Sequence, residues 1–287
     1  MKRRRALLYM PGDDRHKIEK AITLGVDCIC MDLEDGVALN RKQEARRNVV
    51  EALDRLDFGR AEKLVRVNPA RSGLLEQDLA AILPAGPDGL VLPKVEDAQV
   101  LQYLDERMGE LEKHKGLRQG TLALIAIAES AKAIVNLEEI CSACSRLQAV
   151  IFGGEDLAVE LGAERTREAW ELFVARSSTV LHAAVAGIQA IDMVNTDFKD
   201  LEWIRKEAKT GAQMGFAGKQ VIHPAQVQPV QEAFTPSQDE VRSARQLIDA
   251  FEENQRNGRG AFAMDGRMVD MPVVKRARNV LERAGLL

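Results

Sequence analysis

Two acids that close neighbouring apolar runs are the residues of this chain with the clearest chemistry. Residues 122–128 (LALIAIA) lead directly into Glu129, and residues 147–152 (LQAVIF) lead through Gly153, Gly154 and Glu155 to Asp156. Runs that are apolar on both faces fit buried parallel strands. The helical pattern of residues 130–145 between them completes a βαβ unit, whose crossover is right-handed. Both acids then emerge at the carboxyl rim of one sheet, where α/β folds bind ligands. Two converging carboxylates repel unless a proton or cation lies between them. Mg²⁺ suits them, because it takes one or two carboxylates and fills its shell with water and substrate oxygens. The competing reading is that each acid only serves the first turn of the helix that follows it.

Other strand ends bring Asp32, Glu34, Arg66, Lys94 and Asp192 to the same rim. Arg66 can grip a carboxylate through two parallel hydrogen bonds. Beside a cation, that suits a small 2-oxo acid, whose carboxylate and ketone oxygens chelate metal. Arg66 can instead pair with Asp32 or Glu34, and both hold if those acids orient it. The backbone N–H groups after Gly153 favour an anion, unless the glycines serve only a tight turn. Schiff-base chemistry at Lys94 ranks below an ion pair. Residues 215–219 (GFAGK) are only superficially like a phosphate loop: Gln213 stands where its first glycine belongs, and Gln220 replaces Ser or Thr.

The elements that position these residues alternate regularly. Strands are expected at 6–10, 27–31, 63–67, 89–92, 122–128, 147–152, 188–191 and 216–222. Helices are expected at about 14–24, 41–56, 74–83 (stopped by Pro84), 96–109, 130–145, 167–186 and 201–214, with the polar 110–120 as a loop or frayed helix end. Eight strand–helix units in about 230 residues have the size of a (β/α)₈ TIM barrel. We assign residues 1–235 to the barrel. Residues 236–287 are a C-terminal tail: a helix at 237–254, a joint at 257–260, a hairpin turning at Asp265–Gly266 and a helix at 272–283.

The 287 residues are 46% hydrophobic and 29% charged, as expected of a soluble globular chain, and only 4% aromatic, so the core is aliphatic. A formal charge of −4 argues against a nucleic-acid surface. No apolar run reaches the ~18 residues of a membrane span, and 6–10 is too short for a signal-peptide core. A cytoplasmic location is the expectation. Cys28 and Cys30 fit a core strand. Cys141 and Cys144 form one CxxC with no second ligand pair, which disfavours zinc. The histidines at 16, 114, 182 and 223 are scattered.

Tyr9–Met10–Pro11–Gly12, Asp32–Leu33–Glu34–Asp35–Gly36–Val37, Arg66–Val67–Asn68, Leu92–Pro93–Lys94–Val95–Glu96, Glu129, Phe152–Gly153–Gly154–Glu155–Asp156 and Gly218–Lys219–Gln220–Val221–Ile222–His223–Pro224 together resemble the citrate-lyase β-subunit-like branch of the HpcH/HpaI aldolase superfamily. The likeness runs from about Ala6 to Ala277. In the tail, Gly260–Ala261–Phe262 and Met268–Val269–Asp270–Met271–Pro272 resemble members that act alone. The resemblance implies cleavage of a 3-hydroxyacyl-CoA with Mg²⁺, for which Mn²⁺ can substitute. Citramalyl-CoA split to acetyl-CoA and pyruvate is the first expectation. Cleavage of malyl-CoA or methylmalyl-CoA, the matching thioesterase or malate-synthase-like activity, and a citrate lyase subunit needing an acyl-carrier partner are the alternatives.

By the same resemblance Glu129 and Asp156 hold the metal. Arg66, with Asp32, Glu34, Gly154 and Glu155, holds the oxo acid. Tyr9, Pro11, Gly12, His16, Lys20, Arg41, Ile222 and His223 line the CoA, with His16 standing where lysine is usual. Asp270 acts at the acyl methyl from a neighbouring subunit of a homotrimer or hexamer. The start of the chain carries no organelle-targeting extension by this reading.

Overall fold

Eight apolar runs become eight parallel strands, closed into a barrel in sequence order, in a computed structural model that describes residues 2–264 and 266–287. They are β1 (Ala6–Pro11), β2 (Cys28–Asp32), β3 (Glu62–Arg66), β4 (Gly89–Leu92), β5 (Ala123–Ala128), β6 (Leu147–Phe152), β7 (Gln189–Asp192) and β8 (Gly218–Val221). β1 pairs with both β2 and β8, which closes the cylinder and leaves no sheet edge. The helices around it are α1 (Arg15–Ile22), α2 (Lys42–Arg55), α3 (Leu75–Ala85), α4 (Ala98–His114), α5 (Ala131–Val135), α6 (Leu137–Cys141), α7 (Gly154–Leu161), α8 (Phe173–Ala186), α9 (Leu201–Met214) and α10 (Pro224–Ala233).

The two-residue period of a strand stacks the barrel interior in layers. Leu7, Cys28, Cys30, Leu64, Val91, Ile125, Ile127, Ala149, Ile151 and Ile191 form the apolar middle, so Cys28 and Cys30 are core residues. Two positions further along, the same inward face delivers Asp32 after Cys30, Arg66 after Leu64 and Glu129 after Ile127. A polar layer therefore caps the apolar one at the carboxyl end.

The opposite end is closed by charge. Arg4, 1% exposed, donates to both oxygens of Glu62 at 2.6 and 2.8 Å. It also reaches the side-chain oxygens of Gln189 and Gln148 at 2.8 and 2.6 Å. A buried pair of this kind adds little net stability, but removing one partner strands the other charge. A Cβ on Gly218 would lie 1.8 Å from the Arg4 carbonyl oxygen, so only glycine lets the leading segment pass there.

Several elements differ from their expected bounds. Pro84 lies inside the last turn of α3, which ends at Gly86 in the left-handed conformation. The polar stretch after 109 continues α4 to His114, and its Glu112 is buried against Arg146 at 2.6 Å. The helix expected at 130–145 breaks into α5 and α6 at Asn136, whose side chain donates to the Glu96 carbonyl. A 3₁₀ turn, Trp170–Leu172, precedes α8, and β8 is shorter than expected at both ends. Asp192 turns away from the rim. It is fully buried, with Arg176 at 2.7 Å and Lys219 at 3.9 Å. Lys219 is spent in the same network, on Glu207 at 3.0 Å and the Met193 carbonyl at 2.6 Å.

Met1–Gln231 and Glu232–Leu287 are separate compact units. In the second, α11 (Gln238–Arg256) opens with a capping box between Ser237 and Glu240. β9 (Phe262–Met264) and β10 (Arg267–Val269) pair antiparallel, and α12 (Met271–Ala284) packs its Ala277 and Leu281 with Ala244 of α11. Of the expected turn, Gly266 has φ 73°, and Asp265 lies outside the described residues.

Candidate active site

The polar layer at the carboxyl rim is a hydrogen-bonded unit. Asp32 accepts from the backbone N–H groups of Glu34 and Gly36, both at 2.8 Å, which fixes its carboxylate. Arg66 Nε and Nη2 donate to its two oxygens at 2.6 Å each. Arg66 Nη1 lies 3.0 Å from Glu34 Oε2, and Lys94 Nζ lies 2.9 Å from Glu34 Oε1. The guanidinium also lies over the Tyr9 ring, 4.9 Å from its centroid. Burial works against the Arg66 charge, but Asp32 outweighs it and holds the guanidinium pKa above its usual range. Burial raises the Glu34 pKa, with Arg66 and Lys94 pulling the other way. Arg66 has five N–H groups. Asp32 takes two and Glu34 faces a third, which leaves an edge for a ligand carboxylate.

Glu129 follows β5 and is 8% exposed. Its Oε1 accepts from the Lys94 backbone N–H at 2.7 Å. A Cβ on Gly153 would lie 2.3 Å from the Glu129 Cβ, so the first glycine of the Gly153–Gly154 pair makes room for this acid. Burial, and then the charge of Asp156, push the Glu129 carboxyl up to about 7. Asp156 is an exposed acid in the first turn of α7. Both acids line one cleft of about 380 Å³, with Pro69, Lys94, Val100 and Ser130 also on its walls. A buried carboxylate facing a second one, with raised proton affinity, fits a divalent cation with oxygen ligands.

The other expected site residues fall into three groups. Gly154 is buried, and a Cβ there would meet Met193, Leu172 and Phe152 at 2.8–3.2 Å, while Glu155 pairs with Arg165 at 2.9 Å. Tyr9 faces the barrel interior. Its hydroxyl is buried without a hydrogen-bond partner, and burial lifts its pKa well above the usual value. Gly12 is buried and Pro11 half-buried; His16, Lys20 and Arg41 are exposed, Arg41 pairing with Asp13 and Glu44 at 2.9 Å each. Ile222 is exposed, and His223 stacks on Phe198 at 4.7 Å. Asp270 lies in the second unit, where its Oδ1 caps α12 by accepting from the Val273 N–H at 3.4 Å. Lys94 matters more than its sequence context suggested. It holds φ +55°, where only glycine is at ease, and touches both halves of the rim. Its place after a strand and a proline gives no signal of that.

A closed parallel barrel with two acids and a clamped arginine at its carboxyl rim is an α/β barrel with its polar groups gathered where such folds bind ligands. Residues 5–224 match the model of the HpcH/HpaI aldolase/citrate lyase family, and the chain belongs to that family, as a lyase of the citrate lyase β type. It is 42% identical to the mitochondrial citramalyl-CoA lyase of Homo sapiens, covering 98% of this chain and 85% of the relative. It is 37% identical to citrate lyase subunit beta of Leuconostoc mesenteroides subsp. cremoris, covering 98% and 93%. Its fold matches the CitE protein of Mycobacterium tuberculosis in complex with magnesium, acetoacetate and coenzyme A, with a TM-score of 0.81, 32% identity and 98% of each chain covered. No helix among the described residues is long and apolar enough to cross a membrane.

Proposed function

We propose that the chain cleaves (3S)-citramalyl-CoA to acetyl-CoA and pyruvate, reversibly and with Mg²⁺. The buried Glu129 beside Asp156, in one cleft with the Lys94 that pairs with Glu34 of the clamped rim, carries the reading. The 42% identity to a citramalyl-CoA lyase supports this substrate over its alternatives. Glu129 and Asp156 would hold the cation, with Mn²⁺ as a substitute. When bound, it polarises the oxygen that becomes the ketone.

The chain's own residues do the rest. The open edge of Arg66 takes the carboxylate of the oxo-acid half, with Asp32 and Glu34 fixing the guanidinium plane. Backbone N–H groups around Gly154 and Glu155 face the same half. Pro11, Gly12, His16, Lys20, Arg41, Ile222 and His223 form the surface offered to CoA, with Tyr9 at its inner limit. In cleavage the hydroxyl gives its proton to solvent as its oxygen becomes the ketone, the electron pair of the carbon–carbon bond passes to the acetyl-CoA enolate, and Asp270 delivers a proton to the enolate CH₂, which becomes the methyl. In the condensation direction the same carboxylate removes that proton. Asp270 comes from a neighbouring subunit of a homotrimer or hexamer, and the enzyme works in the cytoplasm.

A second reading, citrate lyase β activity on an acyl-carrier thioester, is favoured by the 37% identity to such a subunit. Offering the purified chain citramalyl-CoA, malyl-CoA and methylmalyl-CoA with Mg²⁺ decides the matter. Formation of acetyl-CoA and pyruvate without a partner protein supports the first reading. Turnover only with an acyl-carrier protein, or hydrolysis without carbon–carbon cleavage, refutes it.

A further inference from the structure

We propose that Lys94 is a positioning residue that couples the arginine meant for the oxo-acid carboxylate to the glutamate meant for the metal. The inference rests on the function proposed above. Among the described residues only Lys94 and Ala169 hold positive φ without being glycine. Ala169 is the N-cap of the 3₁₀ turn Trp170–Leu172. Lys94 stands on the wall of the cleft that holds Glu129 and Asp156. Strain kept at such a point is held by what it arranges.

What it arranges is two contacts that diverge from one residue. The Lys94 backbone N–H points at Glu129 Oε1 at 2.7 Å, and its ammonium lies 2.9 Å from Glu34 Oε1. The other oxygen of Glu34 faces Arg66 Nη1 at 3.0 Å. Glu129, Lys94, Glu34, Arg66 and Asp32 thus form one chain of contacts across the four neighbouring strand ends of β2 to β5 and the β2–α2 loop. Glu34 is 3% exposed, and its two oxygens face one cation each, Oε1 the Lys94 ammonium at 2.9 Å and Oε2 Arg66 at 3.0 Å, so Lys94 holds the end of the carboxylate that Arg66 does not. With Glu34 anchored, Arg66 is held by acids at Nε, Nη2 and Nη1, and the direction of its remaining N–H groups is fixed. The Lys94 side chain is 46% exposed and reaches this acid across the rim, so its removal leaves the barrel core untouched.

The test measures binding on the whole protein by calorimetry: Mg²⁺ alone, pyruvate in the presence of Mg²⁺, and CoA. Lys94→Met should weaken pyruvate about tenfold, with Mg²⁺ and CoA affinities and the melting temperature unchanged. Lys94→Arg should recover most of the loss. Lys94→Gly keeps the backbone N–H and relaxes φ, so it should lose pyruvate affinity like Lys94→Met while still binding Mg²⁺. A double-mutant cycle with Glu34→Gln separates positioning from direct contact. If Lys94 acts through Glu34, the double variant is no worse than the weaker single one. Fully additive losses would mean that Lys94 touches the ligand itself and would overturn the inference, as would unchanged pyruvate affinity in Lys94→Met. The wild-type titrations report on the function reading separately: wild-type protein that takes up neither Mg²⁺ nor pyruvate overturns both.

Discussion

Arg66 and Asp32 meet through two parallel hydrogen bonds of 2.6 Å, and the acid is itself fixed by two backbone N–H groups. The guanidinium plane is therefore set before any ligand arrives. Arg66→Lys keeps the charge but not the fork. Losing one charged hydrogen bond costs about 1.5–3 kcal/mol, so pyruvate affinity should fall by roughly ten- to a hundredfold, with CoA affinity barely changed. Equal losses for both ligands would assign Arg66 a purely structural task. Calorimetric titration of each ligand decides.

At the proposed metal site, Glu129 would tie metal uptake to protons. Its carboxyl sits at about 7 in the metal-free protein, against an ordinary 4.5. A cation must displace that proton, so Mg²⁺ affinity should fall as pH drops below about 7, with up to one proton released per ion. Titration in two buffers of different ionisation enthalpy measures the release. The stability sign is opposite to that of a salt-bridged acid. The folded state holds this proton more tightly than the unfolded chain, so metal-free stability should decline as pH rises from about 4.5 to about 7. Glu129→Gln should abolish both the proton release and this part of the slope.

Gly153→Ala places a methyl 2.3 Å from the Glu129 Cβ. Overpacking of this kind costs about 1–3 kcal/mol. Because the crowded neighbour is Glu129, Mg²⁺ affinity should fall along with the melting temperature. A variant that melted early yet bound Mg²⁺ normally would show that the acid can yield without loss.

At the other end, Glu62→Ala leaves Arg4 buried and unpaired. Destabilisation of about 3–5 kcal/mol is expected, read by urea unfolding. Mg²⁺ and pyruvate affinities in the folded protein should not change, since the apolar middle layer separates Glu62 from the rim.

The shared-site proposal for Asp270 predicts complementation. An inactive Asp270→Asn chain mixed with an inactive Glu129→Gln chain should regain part of the activity, because some sites would combine Glu129 of one chain with Asp270 of another. No recovery in demonstrably mixed oligomers would leave Asp270 only as the N-cap of α12.

The rim was legible in the sequence wherever strand alternation alone placed a residue. Asp32, Arg66 and Glu129 follow inward-facing apolar residues by two positions, and that pattern needs no tertiary knowledge. Asp192 follows Ile191 by one position, and its fate depended on Arg176 from α8, a partner that local spacing does not show. Asn136 broke an expected helix because its side chain found the Glu96 carbonyl 40 residues away. Lys94 was the least legible. Lysine has no preference for positive φ, so only the surrounding contacts impose it. The polar stretch after 109 left loop and frayed helix end undecided, because the buried Glu112–Arg146 pair that holds it as helix hides among surface charges.

The Arg4–Glu62 plug has a consequence for traffic. A barrel stoppered at one end and packed through its middle is a vessel with a single mouth. Whatever comes to rest on the buried Glu129 arrives and leaves through the carboxyl rim. With CoA lying across that mouth as proposed, queueing at one door predicts that the small acid boards first in condensation and departs last in cleavage, without any moving gate.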